Sequence, residues 1–323
     1  MIKKLLKRFH GICLYYRFKR LYEKDPRLAA IALYDRIYGN HDKFNIDKPK
    51  SLIEKITWLE LNTDTSLWTL CADKYRMREY VAKCGLEKHL PKLYGHWDNP
   101  NDIDFNQLPD EFVMKANNGC GTVKIIKDKS TINEKRLKKE LKRWLKYKFG
   151  YMGAQTHYLS IKPCILAEEL LHQDDNQKSF SPKSMVDYKV WCINGIPESI
   201  LVVYGRNDSG YSLDLYDIEW KRINDNLKQN GHFVFHEKEV PKPKCLKKMI
   251  EMAKTLSEPF VEVRVDFYIV DENPIVGELT FSTGYGYFTD KYYEYLGRKV
   301  DLAKANECDW LTAKHIDRQY RQG

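Results

Sequence analysis

The sequence predicts an α+β protein of antiparallel sheets and helices, with a helical basic extension at its start. Three stretches carry that expectation, because each reads strand, turn, strand. Phe112–Lys127 (FVMKANNGCGTVKIIK) sets two short apolar runs around a glycine-bearing loop. Val186–Tyr204 places VDYKVWCI and IPESILVVY on either side of Asn194-Gly195, the strongest short hairpin signal. Phe260–Ser282 holds FVEVRVDFYIV and IVGELTFS around the turn Asp271-Glu272-Asn273-Pro274.

Residues 1–38 read as helix. Leu5, Phe9, Ile12 and Tyr16 fall near helical spacing, with Lys3, Lys4, Lys7 and Arg8 between them. A basic amphipathic helix suits an anionic membrane surface. No recognition motif supports nucleic acid as a partner. Asn40–Lys50 is a polar linker. Ser51–Asn62 reads as a short amphipathic helix with Leu52, Ile56 and Leu59 on one side. Leu67–Lys83 continues as helix. There Lys74 and Arg78, four apart, share a face that meets solvent or a polyphosphate. After Gly85, LPKLYGHW reads as a strand, and Asn99–Asp110 as a turn-rich connection. Thr131-Ile132-Asn133-Glu134 has the pattern of a capping box. It opens a helix with Leu137, Leu141, Trp144 and Leu145 inward and its lysines outward, ending near Gly150. Cys164–Leu171 is an apolar strand ending in Glu168 and Glu169. Asp174–Ser184 is a polar loop. Lys242–Leu256 has core-spaced Leu246, Met249, Ile250, Ala253 and Leu256. The tail, Lys299–Gly323, is polar.

With 323 residues, 43% hydrophobic and 31% charged, the chain has the makings of an ordinary soluble protein of two or three subdomains. Its eight cysteines form no C-x-x-C pair, so neither zinc nor a disulfide framework is expected, and a reduced cytosol is the natural compartment. No apolar run approaches the roughly 20 residues of a membrane span. The run Gly11–Tyr16 is too short for a signal sequence and is closed by Arg17. The net charge of +9 is concentrated in two places. Residues 1–27 hold nine Lys/Arg against Glu23 and Asp25, and Lys127–Lys148 holds ten against three acids. Each run is a solvated face or a binding surface.

Two hairpins carry chemistry. In the first, Lys115 precedes Asn117-Asn118-Gly119-Cys120-Gly121-Thr122. Backbone N–H groups of such a loop form an anion nest, and a neighbouring lysine adds a point charge for phosphate. No Gly-Lys-Ser/Thr follows, and no third glycine, so the Walker and dinucleotide loops are excluded. What remains is a glycine flap closing over a nucleotide triphosphate, or a plain hairpin with a loose turn. In the second, Glu262, Arg264 and Asp266 alternate with valines. A turn of odd length sets Asp266 opposite Glu278 and Arg264 opposite Thr280, about 4.5–5.5 Å apart at Cβ. Two carboxylates so close need a cation between them, and their oxygens suit Mg²⁺. The other reading is a solvent-facing strand with Arg264 neutralising the acids. Asp187 and Lys189 lie on one face of their strand. Gly284-Tyr285-Gly286-Tyr287 covers a phosphate or acceptor, or is only a turn.

The ordered set KITWLELN, ADKYRMREYV, LPDEFVMKANNGCGT, ILAEELL, DYKVWCING and VRVDFY…GELTF, from about Leu52 to Gly286, resembles the ATP-grasp superfamily. More closely it resembles the TupA-like branch, associated with teichuronopeptide and other bacterial surface-polysaccharide synthesis. The resemblance implies a nucleotide held between two subdomains, with ATP and Mg²⁺ as cofactors. It implies an N-terminal extension at 1–50, a first subdomain at 51–110, a glycine-flap subdomain at 111–172, a metal and catalytic subdomain at 173–300, and a tail at 301–323. Lys115, Asn117, Asn118, Gly119, Cys120, Gly121, Thr122 and Lys74 would then hold phosphates. Glu168, Glu169 and Leu171 would lie at the adenine and ribose hinge, with Asp187 on the nucleotide-facing strand. Arg264 and Lys189 would be catalytic, and Asp266, Glu278 and Thr280 would take the metal. The usual metal strand reads Glu-x-Asn, and here it reads Glu278-Leu279-Thr280. The implied activity is ATP-dependent joining of a carboxylate to an amine on a surface glycan. The alternatives are a glycan kinase, an enzyme allied to glycosyl transfer, and a non-catalytic membrane- or polymer-binding scaffold.

Overall fold

The computed structural model describes residues 2–207, 210–229, 233–237, 239–283 and 285–306. Two sheets organise it. The smaller contains β1 (Leu93–Trp97), β2 (Phe112–Ala116), β3 (Val123–Ile126) and β4 (Ile165–Glu168), in the order β1-β4-β2-β3 and antiparallel throughout. β1, which comes ahead of residue 111, is an edge strand here. The larger contains β5 (Asp187–Ile193), β6 (Ile196–Asn207), β7 (Gly210–Tyr216), β8 (Phe233–Val234), β9 (Glu262–Val270) and β10 (Asn273–Thr280), in the order β10-β9-β5-β6-β7-β8. Only its short edge pair, β7 with β8, is parallel.

The turns make these pairings. Asn194 and Gly195 take φ of 51° and 75°, the left-handed pair that a two-residue hairpin turn requires. The β9–β10 turn is tighter than the four residues expected. Val270 pairs with Asn273, and Asp271 and Glu272 alone turn the chain. Such a turn would leave Asp266 facing Gly277. A bulge between Val276 and Glu278 absorbs Gly277, and Asp266 then pairs with Glu278 and Arg264 with Thr280.

Helices cover both sheets. They are α1 (Ile2–Lys24), α2 (Pro26–Tyr38), α3 (Leu52–Asn62), α4 (Ser66–Ala72), α5 (Met77–Lys83), α6 (Glu134–Lys146), α7 (Thr156–Leu159), α8 (Asp175–Lys178), α9 (Leu246–Ser257) and α10 (Asp290–Lys299). Leu137 and Leu141 of α6 pack on Phe112, Met114, Ala116 and Ile165, a small core behind the four-stranded sheet. The main core joins the six-stranded sheet to α3, α4, α9 and α10.

Several local expectations change. The helix expected over 67–83 breaks at Asp73, whose carboxylate accepts the N–H groups of Tyr75 (2.8 Å) and Arg76 (3.2 Å). Lys74 therefore sits in the turn between α4 and α5 and shares no helical face with Arg78. The capping box expected at Thr131 is absent. Thr131 Oγ1 donates to the Asp128 carbonyl, and Asn133 caps α6 by accepting from Arg136 N at 2.9 Å. A true box lies at α3, where Ser51 and Glu54 cap each other. α6 ends at Lys146, ahead of Gly150.

In α1 the packed stripe is Leu14, Phe18 and Leu21 with Tyr15 and Tyr22, while Ile12 (47% exposed) and Tyr16 (62%) point outward. The side chains expected to pack at Leu5 and Phe9 lie outside the described residues, as do Gly284 and residues 307–323 of the tail. No helix among the described residues is long and apolar enough to cross a membrane.

Candidate active site

The hairpin β9–β10 and strand β5 build the centre of the site. Lys189 pairs across the sheet with Asp266, and Trp191 with Arg264. Arg264 grips Asp266 with two bonds, Nε to Oδ1 at 2.6 Å and Nη2 to Oδ2 at 2.8 Å. The same Nη2 reaches Thr280 Oγ1 (3.1 Å) and Glu278 Oε1 (3.5 Å). Its guanidinium lies over the Trp191 ring, 5.3 Å from the centroid. Lys189 Nζ bonds Asp266 Oδ2, the oxygen that Arg264 Nη2 also bonds, and stands 4.0 Å from Asp187, which pairs with Arg206 as well.

Lys74 connects the two sheets. Its Nζ donates to the Gly119 carbonyl at 2.6 Å and lies 3.3 Å from Glu278. Burial alone would push the Glu278 carboxyl up. Lys74, Lys189 and Arg264 overcome that and hold it well below the ordinary carboxylate range. Arg264 shows the converse: desolvation works against its charge, yet Asp266 and Glu278 raise its pKa.

The flap sheet supplies a second cluster. Glu168 is buried and bonded by Lys115 Nζ at 2.6 Å and Arg78 Nη1 at 3.3 Å. Val113, Lys115, Val123, Ile125 and Glu168 share one face through their cross-strand pairing. On it Val123 is 47% exposed and Ile125 55%, an uncovered apolar surface beside charged groups. The loop between β2 and β3 is pinned from behind. Gly119 takes φ 153°, and a Cβ there would meet Phe149 at 2.7 Å. Asn117 is fully committed: its side chain bonds Lys162 O and Cys164 N, and its own N–H donates to Cys164 O. Asn118 donates to the Tyr147 carbonyl. These two asparagine side chains are spent on holding the loop in shape.

The match to the family model TupA-like ATPgrasp runs over residues 54–301. The chain belongs to the TupA-like ATP-grasp family. Its fold is the ATP-grasp fold. Among solved structures it is similar to D-alanine–D-alanine ligase from Bacillus anthracis in complex with ATP, at TM-score 0.44 and 14% identity, over 78% of this chain and 71% of that one. It is also similar to the ATP-grasp ligase PsnB with a minimal precursor, at TM-score 0.35 and 14% identity, over 77% and 61% of the two chains. A third is phosphoribosylamine–glycine ligase from Thermotoga maritima, at TM-score 0.39 and 13% identity, over 72% and 51%. The comparison with curated proteins finds no match.

In this ATP-grasp chain, Lys74, Lys189, Arg264, Asp266, Glu278 and Thr280 come together, with Asp187 at the edge. Lys115 and Glu168 form the second cluster. Glu169 is exposed, its backbone extending the pairing to Lys92. Leu171 is half-buried beyond the end of β4. Sequence reasoning missed Val123 and Ile125, whose alternation about Lys124 is the signal that places them with Lys115. It also missed Arg206, and Tyr268, whose hydroxyl pKa rises because Asp187, its own burial, Glu278 and Asp266 all oppose ionisation. Two facing carboxylates and a hydroxyl are hard oxygen donors that match Mg²⁺. Among the described residues no third acid, histidine or cysteine joins them. One or two carboxylates with waters and phosphate oxygens is the usual Mg²⁺ shell, so these residues fit the ion.

Proposed function

We propose that this ATP-grasp protein is an ATP-dependent ligase that joins a carboxylate to an amine, acting on a bacterial surface glycan such as capsule or teichuronopeptide-like polymer. The observation that carries the reading is Arg264, bonded to Asp266 and poised against Glu278 and Thr280 beside Lys74 and Lys189. Three cations and two facing acids in one patch suit a transferring phosphoryl and its metal. Asp266, Glu278 and Thr280 would hold Mg²⁺, which supplies charge neutralisation when bound. Lys74, Lys115 and the Gly119–Thr122 N–H groups would hold phosphates, with Val123 and Ile125 against the base and Glu168 near the ribose.

A substrate carboxylate oxygen attacks the γ-phosphorus, and the bond to the β–γ bridging oxygen breaks, releasing ADP. The amine then attacks the acyl carbon, phosphate leaves, and the amine proton passes to the departing phosphate or to water. Arg264 and Lys189 stabilise charge on the transferring group, and positioning does most of the work.

Asp266→Asn and Glu278→Gln are each expected to abolish turnover in protein that still melts cooperatively. Arg264→Ala should lower kcat more than it raises the KM for ATP. ADP and phosphate should appear together only with both substrates present, and hydroxylamine should trap the acyl phosphate. Wild-type turnover in the two acid variants overturns the metal assignment. ADP release without phosphate, with a phosphorylated glycan, makes the protein a kinase. An unchanged melting curve in millimolar Mg-ATP makes it a scaffold.

A further inference from the structure

A cavity of about 580 Å³ lies at the free end of the six-stranded sheet, away from the cluster around Arg264. That volume falls within the ~300–1,000 Å³ typical of small-ligand sites. Phe235, just beyond β8, supplies a half-buried aromatic wall. Arg222 and Asn224 form the wall that is already committed. Arg222 Nη2 pairs with Asp214 at 2.7 Å, Nη1 donates to the Glu237 carbonyl at 2.9 Å, and Asn224 Nδ2 donates to Asp214 at 2.7 Å.

Three other lining side chains are uncommitted. Asp225, Gln229 and Glu239 make no side-chain hydrogen bond to any described residue. An amide that both donates and accepts, flanked by two acceptors and a flat ring, matches a ring-shaped ligand dense in hydroxyls. The charge narrows the choice. Arg222 is neutralised by Asp214, so the two free carboxylates leave the cavity negative. Phosphate, sulfate and uronate ligands are repelled, and an ammonium is welcome.

We infer that this cavity binds a sugar that is neutral or bears an amino group, and that it holds a neutral or amino-sugar unit of the acceptor glycan, the latter clause resting on the ligase reading above. The walls connect to the active site through packed groups. Leu227 lines the cavity and bridges to Phe288, while Lys228 N donates to Tyr287 O and Thr289 N to Asn226 O, both at 2.8 Å. The Phe288 ring meets Trp191 at 4.9 Å, and Trp191 carries Arg264 on its face.

The test is direct binding, without turnover. Full-length protein is titrated with chitosan disaccharide (cationic), N,N′-diacetylchitobiose (neutral) and digalacturonate (anionic), read by saturation-transfer NMR and calorimetry. The first two should bind at millimolar concentration or better, and digalacturonate at least about tenfold more weakly. The double variant Asp225→Asn/Glu239→Gln should lose that charge preference, and Gln229→Ala should weaken binding of the two sugars that bind. Both changes are at exposed positions and should leave the Mg-ATP melting shift intact. Equal or tighter binding of digalacturonate, no binding of any of the three, or binding indifferent to these substitutions overturns the assignment. An intact Mg-ATP shift without sugar binding removes the cavity alone. Sugar binding without a Mg-ATP shift leaves the cavity standing and removes the ligase reading.

Discussion

Glu262→Gln should stabilise the protein, and by an amount that depends on pH. Glu262 begins β9, is fully buried, and neither carboxylate oxygen has a hydrogen-bond partner. Burial pushes its carboxyl well above the ordinary value of 4.5, and Arg264 opposes that only in part. The folded state therefore holds this proton more tightly than the unfolded chain does. For an acid with a raised folded pKa, stability is greatest below the unfolded value and falls as pH rises towards the folded one. Each pH unit between the unfolded and the folded value costs about 1.4 kcal/mol. Glutamine keeps the shape of the protonated acid and takes up no proton. The variant should match wild type near pH 4 and gain on it as pH rises, by about 1.4 kcal/mol for each pH unit inside that window. Melting curves of both proteins from about pH 4 to 8 supply the measurement. A Tm difference that is flat across that range, or that turns into a growing loss towards pH 8, refutes the reasoning.

Two further outcomes follow from other parts of the fold. Lys74→Ala should raise the KM for ATP by about tenfold, since a charged contact is lost at both sheets. Glu278 stabilises as a carboxylate above its ordinary pKa and loses that contribution as pH falls, so removing Lys74 should move the acid limb of the activity profile upward, and an unmoved limb counts against the assignment. Deleting residues 1–27 should reduce co-sedimentation with anionic vesicles in a salt-sensitive way. The outward face of α1 carries Ile12, Tyr16, Arg17 and Arg20, and each basic residue at such a surface contributes about 1 kcal/mol. Equal pelleting with neutral vesicles would assign that face to solvent.

Much of the site could be read from alternation. Residue types two apart in VEVRVDF, and again in GELTF, placed Arg264, Asp266, Glu278 and Thr280 on one face before any contact was known. What alternation could not supply was parity. The two-residue turn and the Gly277 bulge together set the register, and a bulge leaves no mark beyond a glycine. Nor could it separate Glu262 from Asp266. Both are acids on the same strand face, but Asp266 has Lys189 opposite, and Glu262 has Ile193. The shared helical face of Lys74 and Arg78 failed because the Asp73 side chain competed for backbone N–H groups and ended the helix just ahead of Lys74. In α1, apolar residues lay on more than one stripe, and packing against α2 and the segment Phe149–Tyr151 buried the one with Leu14, Phe18 and Leu21.

Every charged group at the centre of the site already has a partner of opposite sign in the nucleotide-free fold. On the proposed reading, ligand entry would be an exchange. Phosphates would take over Lys74 and Arg264, and the carboxylates so released would turn to a metal. Little water needs to be stripped from bare charges at that moment, because the protein stripped it when it folded. The same pairing ties function to stability residue by residue. Replacing Asp266 alone leaves Lys189 and Arg264 facing each other in a buried place, so the empty protein suffers before any substrate is offered. Loss of activity at this site by gradual drift should accordingly proceed through paired substitutions, a cation and an acid disappearing together.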